Sequence, residues 1–535
     1  MENEISAKSE SICEKKPDVK NDKTQFEDAL NIIGVGKYNY RLLAIGIYSL
    51  LAATAEMFTI GLVTTAAQCD LDLDVDKKGL LGSIPILGVV VSAHFWGFIA
   101  DTRGRRYALN ISTSACCVTE LLAAFSTSWV YLAVFKFIGA IFASGTNALV
   151  FTLIGETTGI QKRQTYLMYA AAGVLAFQGL NIPVAYPILN MSSFSYYMPL
   201  LDYSFQPWRL YLLTIALMSG INLLLIVFFT LESPKFYFAI GEQEMGMKIM
   251  QKLYKINTGN AMDEYPVKYI VLNEDDYKPR QRNFFRSIWE QTTPLFSKKY
   301  IKSTILIFLT SLPAYCVSPP LSIWWPFIMN SVSKAQDTSI EFCKIFQMNN
   351  TKSFENSVLY NSSEIPKCDD TIAEITYIAL AMFAVYLVIC SLATVFIMKY
   401  IGKKWTFVII HFICTILGVM VNYMNMYGGV FALGALSVNV TCMGIVTTYA
   451  IELFPTYMRA MAVCLTILSG RAVSIVFYNI IGAQLQNNCS NFIFILAGLI
   501  AFGGFVGIFL PSDRMKKENV KVGKSRDEND TCSST

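Results

Sequence analysis

Two charged residues lie in the middle of long apolar segments, where an isolated charge is costly. Glu56 lies within the apolar residues 41–67, and Arg471 lies within residues 460–486. If these segments cross a bilayer, each charged side chain should face a cavity or a partner. Glu56 could bind a cation or accept a proton, or it could be protonated and hydrogen-bonded between helices. Arg471 stays charged and could bind an anionic solute, pair with an acid on another helix, or face Glu56 across one cavity.

Other polar side chains in apolar segments are weaker candidates for the same site. Asn147 and Gln178 could hydrogen-bond a solute, with bonding between helices as the alternative. Trp325 lies in a proline-rich segment and could present its aromatic face to an organic cation, or it could belong to an interfacial aromatic belt. Lys136, near the start of its segment, could extend toward the headgroups. Glu120 is expected to pack between helices.

The elements that must position these residues are membrane-spanning helices. Of the 535 residues, 54% are hydrophobic and only 15% are charged, whereas soluble proteins average about 25% charged residues. A helix that crosses the hydrocarbon core needs about 20 apolar residues, and such runs are too long for barrel strands. The sequence predicts twelve spans, at residues 41–67, 79–100, 107–127, 129–155, 165–189, 208–231, 303–329, 374–398, 405–426, 428–453, 460–486 and 491–511.

The distribution of basic residues predicts the orientation of these spans. With the amino end inside, 34 of the 43 lysines and arginines fall in inner segments, six in outer loops and three in spans. Basic residues are enriched on the cytoplasmic side, so we expect both termini in the cytoplasm. The predicted division is a disordered arm (1–40), an amino-terminal six-helix half (41–231), an inner loop (232–302), a carboxyl-terminal half (303–511) with an outer loop (330–373), and a tail (512–535).

The outer segments contain cysteines and glycosylation sequons, as in a protein exposed to an oxidising compartment. Cys343 and Cys368 share one outer loop, and we predict a disulfide between them. Cys69 and Cys489 are single cysteines of other outer segments and could form a second disulfide. Sequons in segments placed outside give four predicted glycosylation sites, Asn190, Asn349, Asn361 and Asn488.

Two patterns of the inner loops recur at nearly one offset, which indicates an internal repeat. In the first pattern, a glycine that precedes two basic residues recurs 298 residues later, at Gly104 and Gly402. In the second, a glutamate stands seven residues before an arginine and recurs 296 residues later, as Glu156 with Arg163 and Glu452 with Arg459. The repeat divides the twelve spans into two related halves of six.

Three motifs carry a resemblance to a known family. The segment Gly97-Phe-Ile-Ala-Asp101-Thr-Arg-Gly104-Arg105-Arg106 resembles the loop signature of the major facilitator superfamily. Glu232-Ser-Pro-Lys and the segment from Glu452 to Arg459 resemble motifs of its sugar and organic-ion branches. The chain is most similar to the synaptic vesicle glycoprotein 2 family, over about residues 30–510, through stretches such as Ala55-Glu-Met-Phe and Trp325-Pro-Phe.

The resemblance implies an all-α major facilitator fold of two pseudo-symmetric six-helix halves. Such a protein would move a small organic solute (an organic ion, a sugar or a similar molecule) by alternating access, with or without coupling to protons or sodium. The resemblance also implies that inner-loop charges act as a gate. Asp101 would cap the eleventh helix and pair with an arginine near it, such as Arg105. Further latches would form between Glu156 and Arg163, and between Glu452 and Arg459.

Other function classes are less well supported by the sequence. The alternative is a non-transporting relative that binds vesicle proteins or lipids, but the short arm and outer loop depart from the vesicle glycoproteins and argue against a tethering or receptor role. A channel is disfavoured, since no acidic pore ring occurs. The two histidines lie in different spans and no phosphate loop or nucleophile motif occurs, so we predict no metal, cofactor or catalytic residue. The nearly balanced charge, net +4, predicts no nucleic-acid partner. We expect a monomer in the plasma membrane or a vesicle membrane.

Overall fold

The computed structural model describes residues 23–191, 194–198, 203–272, 289, 292–335, 340–346, 368, 370–454 and 456–511. The side chains of residues 172–179 and 456–460 lie outside this description. Two short two-stranded sheets accompany a large bundle of helices. The described chain is therefore an all-α bundle with minor strands, as predicted.

The first part of the chain contains six spans. Its elements are β1 (Lys23–Gln25), α1 (Phe26–Ile33), α2 (Lys37–Phe58), α3 (Ile60–Ala66), α4 (Val75–Arg103), α5 (Arg105–Ala124), α6 (Trp129–Thr157), α7 (Ile160–Leu189), β2 (Tyr196–Met198), β3 (Tyr203–Phe205) and α8 (Pro207–Phe229). The first span is α2 continued by α3. The next five are α4 to α8.

The second part begins with short elements and continues with six more spans. Its elements are α9 (Pro234–Ala239), α10 (Gln243–Thr258), β4 (Tyr269–Val271), α11 (Ile301–Ser333), α12 (Glu374–Ile401), α13 (Lys403–Met420), α14 (Met426–Leu436), α15 (Cys442–Leu453), α16 (Thr456–Asn487) and α17 (Cys489–Gly507). The tenth span is α14 and α15, joined by a 3₁₀ turn at Ser437–Thr441.

Within the described residues, ten helical segments are long and apolar enough to cross a bilayer. The helices α5 and α7 occupy the predicted third and fifth spans. The twelve predicted spans are therefore confirmed as helices. The seventh span, α11, is one helix from Ile301 to Ser333 although it contains four prolines.

The internal repeat is visible in two tight turns. Gly104 joins α4 to α5 with φ of +104°, and Gly402 joins α12 to α13 with φ of +88°. A positive φ of this size strains any side chain with a Cβ, which is why glycine occupies both turns. The glycines found 298 residues apart in the sequence therefore make the same turn in each half.

The amino-terminal arm is partly ordered, which corrects the prediction of disorder for residues 1–40. Strand β1 pairs in parallel with β4, and the apolar side of α1 is buried, with the Phe26 ring 6.0 Å from that of Phe238. Tyr265 donates a hydrogen bond of 2.9 Å to the carbonyl of Ala29, and burial raises the pKa of Tyr265. Apolar positions at helical spacing in α1 explain this order. Residues 1–22 lie outside the described residues.

Two disulfides connect the predicted outer end of the bundle, and the predicted pairing is wrong. Cys69 bonds to Cys368, and Cys343 bonds to Cys489. A disulfide requires Cα atoms within about 7 Å, and the fold brings Cys343 beside the start of α17 rather than beside Cys368, its neighbour in sequence. As a result, Cys69–Cys368 joins the two halves covalently, whereas Cys343–Cys489 stays within the carboxyl-terminal half.

Candidate functional site

A cavity of about 250 Å³ lies between the two halves. We call it the central cavity. Asn147 lines it from α6, and Tyr315, Arg471 and Tyr478 line it from α11 and α16. Among the described lining residues, Arg471 is the only charged one. The sequence predicted Arg471 and Asn147 here but gave no indication of the two tyrosines.

The tenth span is irregular where it meets the central cavity. Val440, in the 3₁₀ turn, lines the cavity. Ser318, another lining residue, donates a hydrogen bond of 3.0 Å to the carbonyl of Ser437 in the same turn. A 3₁₀ stretch within a helix often marks a functional hinge. The polar backbone of this turn is therefore close to any bound solute.

Glu56 does not line the central cavity, which corrects the expectation that it faces Arg471. Its neighbours Thr54, Met57 and Phe58 line the cavity, whereas Glu56 points from another side of α2 toward α6. Successive helix residues point in directions about 100° apart, so the neighbours of a cavity-lining residue need not line it. Gly139 leaves the space for this carboxylate, since a Cβ there would overlap its Oε1 atom.

Glu56 instead belongs to a group of three buried charged residues, which we call the buried triad. The Lys136 Nζ atom lies 3.1 Å from Glu56 Oε2 and 2.8 Å from Glu120 Oε1. The exposed fractions of the side chains are 0% for Lys136 and Glu120 and 1% for Glu56. Lys136 lies two turns inside α6 and does not extend toward the headgroups. Neither sequence spacing nor composition indicated that these three residues meet.

The buried triad contains two carboxylates and one ammonium group. Glu56 Oε1 and Glu120 Oε2 have no hydrogen-bond partner among the described residues. Burial of an unpaired charge is unfavourable, and one added proton would make the triad neutral. The arrangement can therefore bind a proton.

Charged residues of the predicted inner loops form one ion-pair cluster in each half. In the amino-terminal half, Arg105 Nη2 lies 3.1 Å from Asp101 Oδ1 and Arg105 Nε lies 2.9 Å from Glu156 Oε2. In the carboxyl-terminal half, Lys403 Nζ lies 2.5 Å from Glu452 Oε1. We call Arg105–Glu156 and Lys403–Glu452 the repeated pairs. Lys403 follows Arg105 by 298 residues, and Glu452 follows Glu156 by 296 residues, which are the offsets of the internal repeat.

The partners of the predicted latches are partly different. Glu156 pairs with Arg105 rather than with Arg163, which pairs instead with Glu27 of α1 at 2.6 Å. The reason is the turn at Gly104, which places Arg105 beside the end of α6. The side chain of Arg459 lies outside the described residues, and the capping of the eleventh helix by Asp101 stays a prediction.

Glu232 lies next to the amino-terminal ion-pair cluster, at the start of α5. Its carboxylate accepts hydrogen bonds from the backbone N–H groups of Arg105 at 2.7 Å, Arg106 at 2.9 Å and Tyr107 at 3.3 Å. A carboxylate is stabilised at the positive start of a helix, here α5. The Glu232-Ser-Pro-Lys motif was the sequence signal for this contact, although the motif alone did not give its role.

Several other predicted residues lie elsewhere or remain untested. Trp325 stacks on Phe383 with ring centroids 4.4 Å apart and does not line the central cavity, since packing within the carboxyl-terminal half buries its ring. The side chain of Gln178 lies outside the described residues, as do Asn349 and Asn361. Asn190 and Asn488 are exposed beside the ends of α7 and α17, and their glycosylation stays a prediction.

The two halves contact each other closely at the end of the bundle that carries the disulfides. Lys78 Nζ of α4 lies 4.7 Å from the centre of the Phe327 ring of α11. The Tyr186 ring of α7 lies 5.2 Å from that of Tyr377 of α12. Together with the Cys69–Cys368 bond, these contacts hold the halves together on the predicted outer side of the central cavity.

Comparisons with known proteins identify the same architecture. The Major Facilitator Superfamily model matches residues 45–477. Synaptic vesicle glycoprotein 2C of Mus musculus is 25% identical over 332 residues, which cover 57% of this chain and 44% of that protein. An inward-open structure of the xylose transporter XylE from E. coli matches with a TM-score of 0.62 and 14% identity, covering 89% of this chain and 97% of that one. A D-xylose-proton symporter structure matches with a TM-score of 0.57 and 11% identity, covering 89% and 98%.

These matches differ in what they cover. The chain spans less than half the length of the vesicle glycoprotein that it matches. The two transporter structures cover nearly all of the bundle at low identity, so they establish its fold.

Proposed function

The chain belongs to the Major Facilitator Superfamily, as its inner-loop motifs predict, and we propose that it carries a small organic anion across a membrane by alternating access. It is a multi-pass membrane protein near the synaptic vesicle glycoprotein 2 branch. The observation that carries the proposal is the central cavity between the halves, in which Arg471 is the charged side chain among the described lining residues.

The chemistry of the central cavity favours an anion over a cation or a sugar. A guanidinium group stays protonated and offers a planar fork of donors that matches a carboxylate or phosphate. A neutral sugar would leave this charge without a counter-ion, and a cation would be repelled. The volume of about 250 Å³ lies just below the usual range of ligand pockets, about 300–1,000 Å³, which favours a small solute.

Residues of both halves would contact such a solute. Arg471 and Tyr478 would bind it from the carboxyl-terminal half, and Asn147 from the amino-terminal half. A ligand shifts a conformational equilibrium only by its differential affinity for the two states. A solute that bridges the halves can therefore favour the occluded state through which alternating access proceeds. Each of the repeated pairs would keep the spans of its own half together during this exchange.

The buried triad supports coupling to protons rather than to sodium. It lacks one positive charge for neutrality, and a proton can supply that charge without a coordination shell. Close packing of Gly139 against Glu56 Oε1 leaves little room for a metal ion with several oxygen ligands. Proton binding at the triad and anion binding at Arg471 would then occur on opposite sides of α2. In the related fold, the D-xylose-proton symporter couples a solute to the same ion.

The test is solute uptake into proteoliposomes by the purified chain. We expect uptake of one or more members of an organic-anion panel, and a loss of about ten- to hundredfold in Arg471→Gln, the range of one charged hydrogen bond. Lys252→Gln, which changes an exposed charge of α10, is the matched control. Uptake of a sugar or an organic cation that Arg471→Gln leaves unchanged would contradict the anion assignment. Failure of every solute to enter or to shift thermal unfolding would favour the non-transporting alternative.

A further inference from the structure

A second cavity of about 250 Å³ lies at the predicted cytoplasmic end of the carboxyl-terminal half. Its walls come from the turn at Thr293–Phe296, the first two turns of α11, the end of the tenth span at Phe454, and α16. None of its lining residues lines the central cavity. We propose that this cavity holds an acyl chain of an anionic phospholipid whose headgroup contacts Lys298, Lys299 and Lys302.

The walls of this second cavity are suited to hydrocarbon. Nine of the twelve lining residues are apolar. The other three carry hydroxyl groups that already donate to backbone carbonyls: Thr304 to Leu295 at 2.9 Å, Thr466 to Ala462 at 2.8 Å, and Ser469 to Thr466 at 3.1 Å. A polar solute would lose its hydration there without a matching partner. An apolar chain gains from burial of its surface.

The mouth of the second cavity is exposed. Two lining residues, Phe296 and Ile305, are 54% and 49% exposed. Both belong to the segment that enters the bilayer at the predicted cytoplasmic surface. A chain from the adjacent leaflet can therefore reach the cavity from the side, without passing through the central cavity.

Basic residues next to the mouth specify the sign of the lipid charge. Lys298, Lys299 and Lys302 are exposed and are interspersed with the lining residues Phe296, Ile301 and Thr304. Residues 291–310 contain no aspartate or glutamate. The cytoplasmic leaflet carries anionic lipids, and each lysine near its surface strengthens their binding. Apolar walls and a basic rim together match the two parts of one anionic phospholipid.

The position of this site connects it to the central cavity. Its walls on α11 and α16 include Phe308 and Ser469, and the same helices present Tyr315 and Arg471 to the central cavity. An acyl chain between these helices would fix their separation at the inner end. Lipid binding itself does not depend on the proposed transport function, so the two can fail independently.

The experiment uses the full chain in phosphatidylcholine nanodiscs that contain a phosphatidylserine probe with a photoreactive group on its acyl chain. We expect crosslinks in the peptides that contain residues 295–308 and 454–469, and much weaker labelling by a phosphatidylcholine probe of the same chain length. The triple variant Lys298→Gln, Lys299→Gln, Lys302→Gln should lose about tenfold or more of this labelling, because three surface lysines act together. The double variant Lys252→Gln, Lys255→Gln removes exposed charges of α10 and should label as the unmodified chain does.

A second variant tests the cavity rather than the charge. Ala462→Phe fills the space and should reduce labelling while the lysines remain, and Leu465→Trp gives the same test should the first variant fail to fold. Equal labelling by both probes, or labelling that the triple variant does not reduce, would overturn the proposal in favour of ordinary surrounding lipid. Competition by soluble glycerophosphoserine as strong as that by the lipid would also overturn it, because the acyl chain would then contribute nothing.

Discussion

The two halves of the bundle share their inner charge pairs but differ in the charges of their interiors. Arg105–Glu156 in one half and Lys403–Glu452 in the other stand at equivalent positions. In contrast, the repeat places Ala432 opposite Lys136 at the offset of 296, and Gly418 opposite Glu120 at the offset of 298. The buried triad therefore has no counterpart in the carboxyl-terminal half, which instead presents Arg471 to the central cavity.

This difference separates the parts of the molecule that are common to both halves from those that are specialised. The repeated pairs lie at the predicted inner ends of spans, and each pair joins two elements of one half. In the amino-terminal half, the charges of the buried triad contact one another. In the carboxyl-terminal half, Arg471 faces the central cavity. We infer that the amino-terminal half binds the coupling proton and that the carboxyl-terminal half binds the charged group of the solute.

The largest effect should follow from removal of the ammonium group of the buried triad. Lys136→Met would leave two carboxylates buried without their counter-charge, which costs about 3–5 kcal/mol for a broken buried pair. We expect a marked fall in the thermal unfolding temperature in detergent. Lys136→Arg, which keeps the positive charge, should retain most of the stability of the unmodified chain. The matched change in the other half, Lys403→Met, should have a small effect, since Lys403 and Glu452 are partly exposed. Equal stability of Lys136→Met and the unmodified chain would contradict the triad.

The next effect distinguishes the disulfide that joins the halves from the one within a half. Loss of a disulfide typically costs about 2–4 kcal/mol, so both double variants, Cys69→Ser with Cys368→Ser and Cys343→Ser with Cys489→Ser, should unfold at lower temperature. Only the first releases the covalent link between the halves. We expect it alone to increase the rate at which a thiol reagent added from outside modifies a cysteine introduced by Asn147→Cys. Equal accessibility in both variants would show that the link does not limit opening.

A smaller effect should separate the two repeated pairs. Arg105 contacts two carboxylates and its side chain is 8% exposed, whereas that of Lys403 is 20% exposed. Charged hydrogen bonds contribute about 1.5–3 kcal/mol, and exposed pairs contribute less than about 1 kcal/mol. Arg105→Gln should therefore change the turnover of uptake more than Lys403→Gln does, with little change in apparent affinity for the solute. A larger effect on affinity than on turnover would argue against a role in gating.

The smallest effect on stability should come from Glu120→Gln, which removes the excess negative charge of the triad and keeps a hydrogen-bond acceptor for Lys136. Stability should stay within about 1 kcal/mol of the unmodified chain, as when a buried charge imbalance is relieved. An inward proton gradient should no longer stimulate solute uptake by this variant. Asp76→Asn, at the exposed start of α4, is the control. Retained stimulation by the gradient in Glu120→Gln would place the coupling proton elsewhere.

Much of the fold could be predicted because its determinants are local. Apolar runs of about 20 residues gave the twelve spans, and the glycines at 104 and 402 gave the repeat. The sequence also identified Arg471 and Asn147 as candidates for the central cavity. The ordered part of the arm was missed because α1 is short, and its apolar face is stabilised by segments more than 100 residues away, such as the one that contains Tyr265.

The pairing of charges and cysteines could not be predicted in the same way. All four disulfide cysteines were recognised, but their partners were not. Glu56 and Lys136 were both noticed as charges in apolar segments, yet their contact spans 80 residues of sequence and joins two helices. A rotation of the helix by one residue, about 100°, decides whether a carboxylate faces a cavity or a lysine. The linear pattern of the sequence does not determine that rotation.

The sequence by itself therefore determined which residues cross the membrane and which residues repeat, since burial in lipid and tight turns impose requirements on composition and on glycine. Only the tertiary structure decided which face of each helix meets which neighbour. That choice follows from the packing of all the spans together, and it is what separates the buried triad from the central cavity.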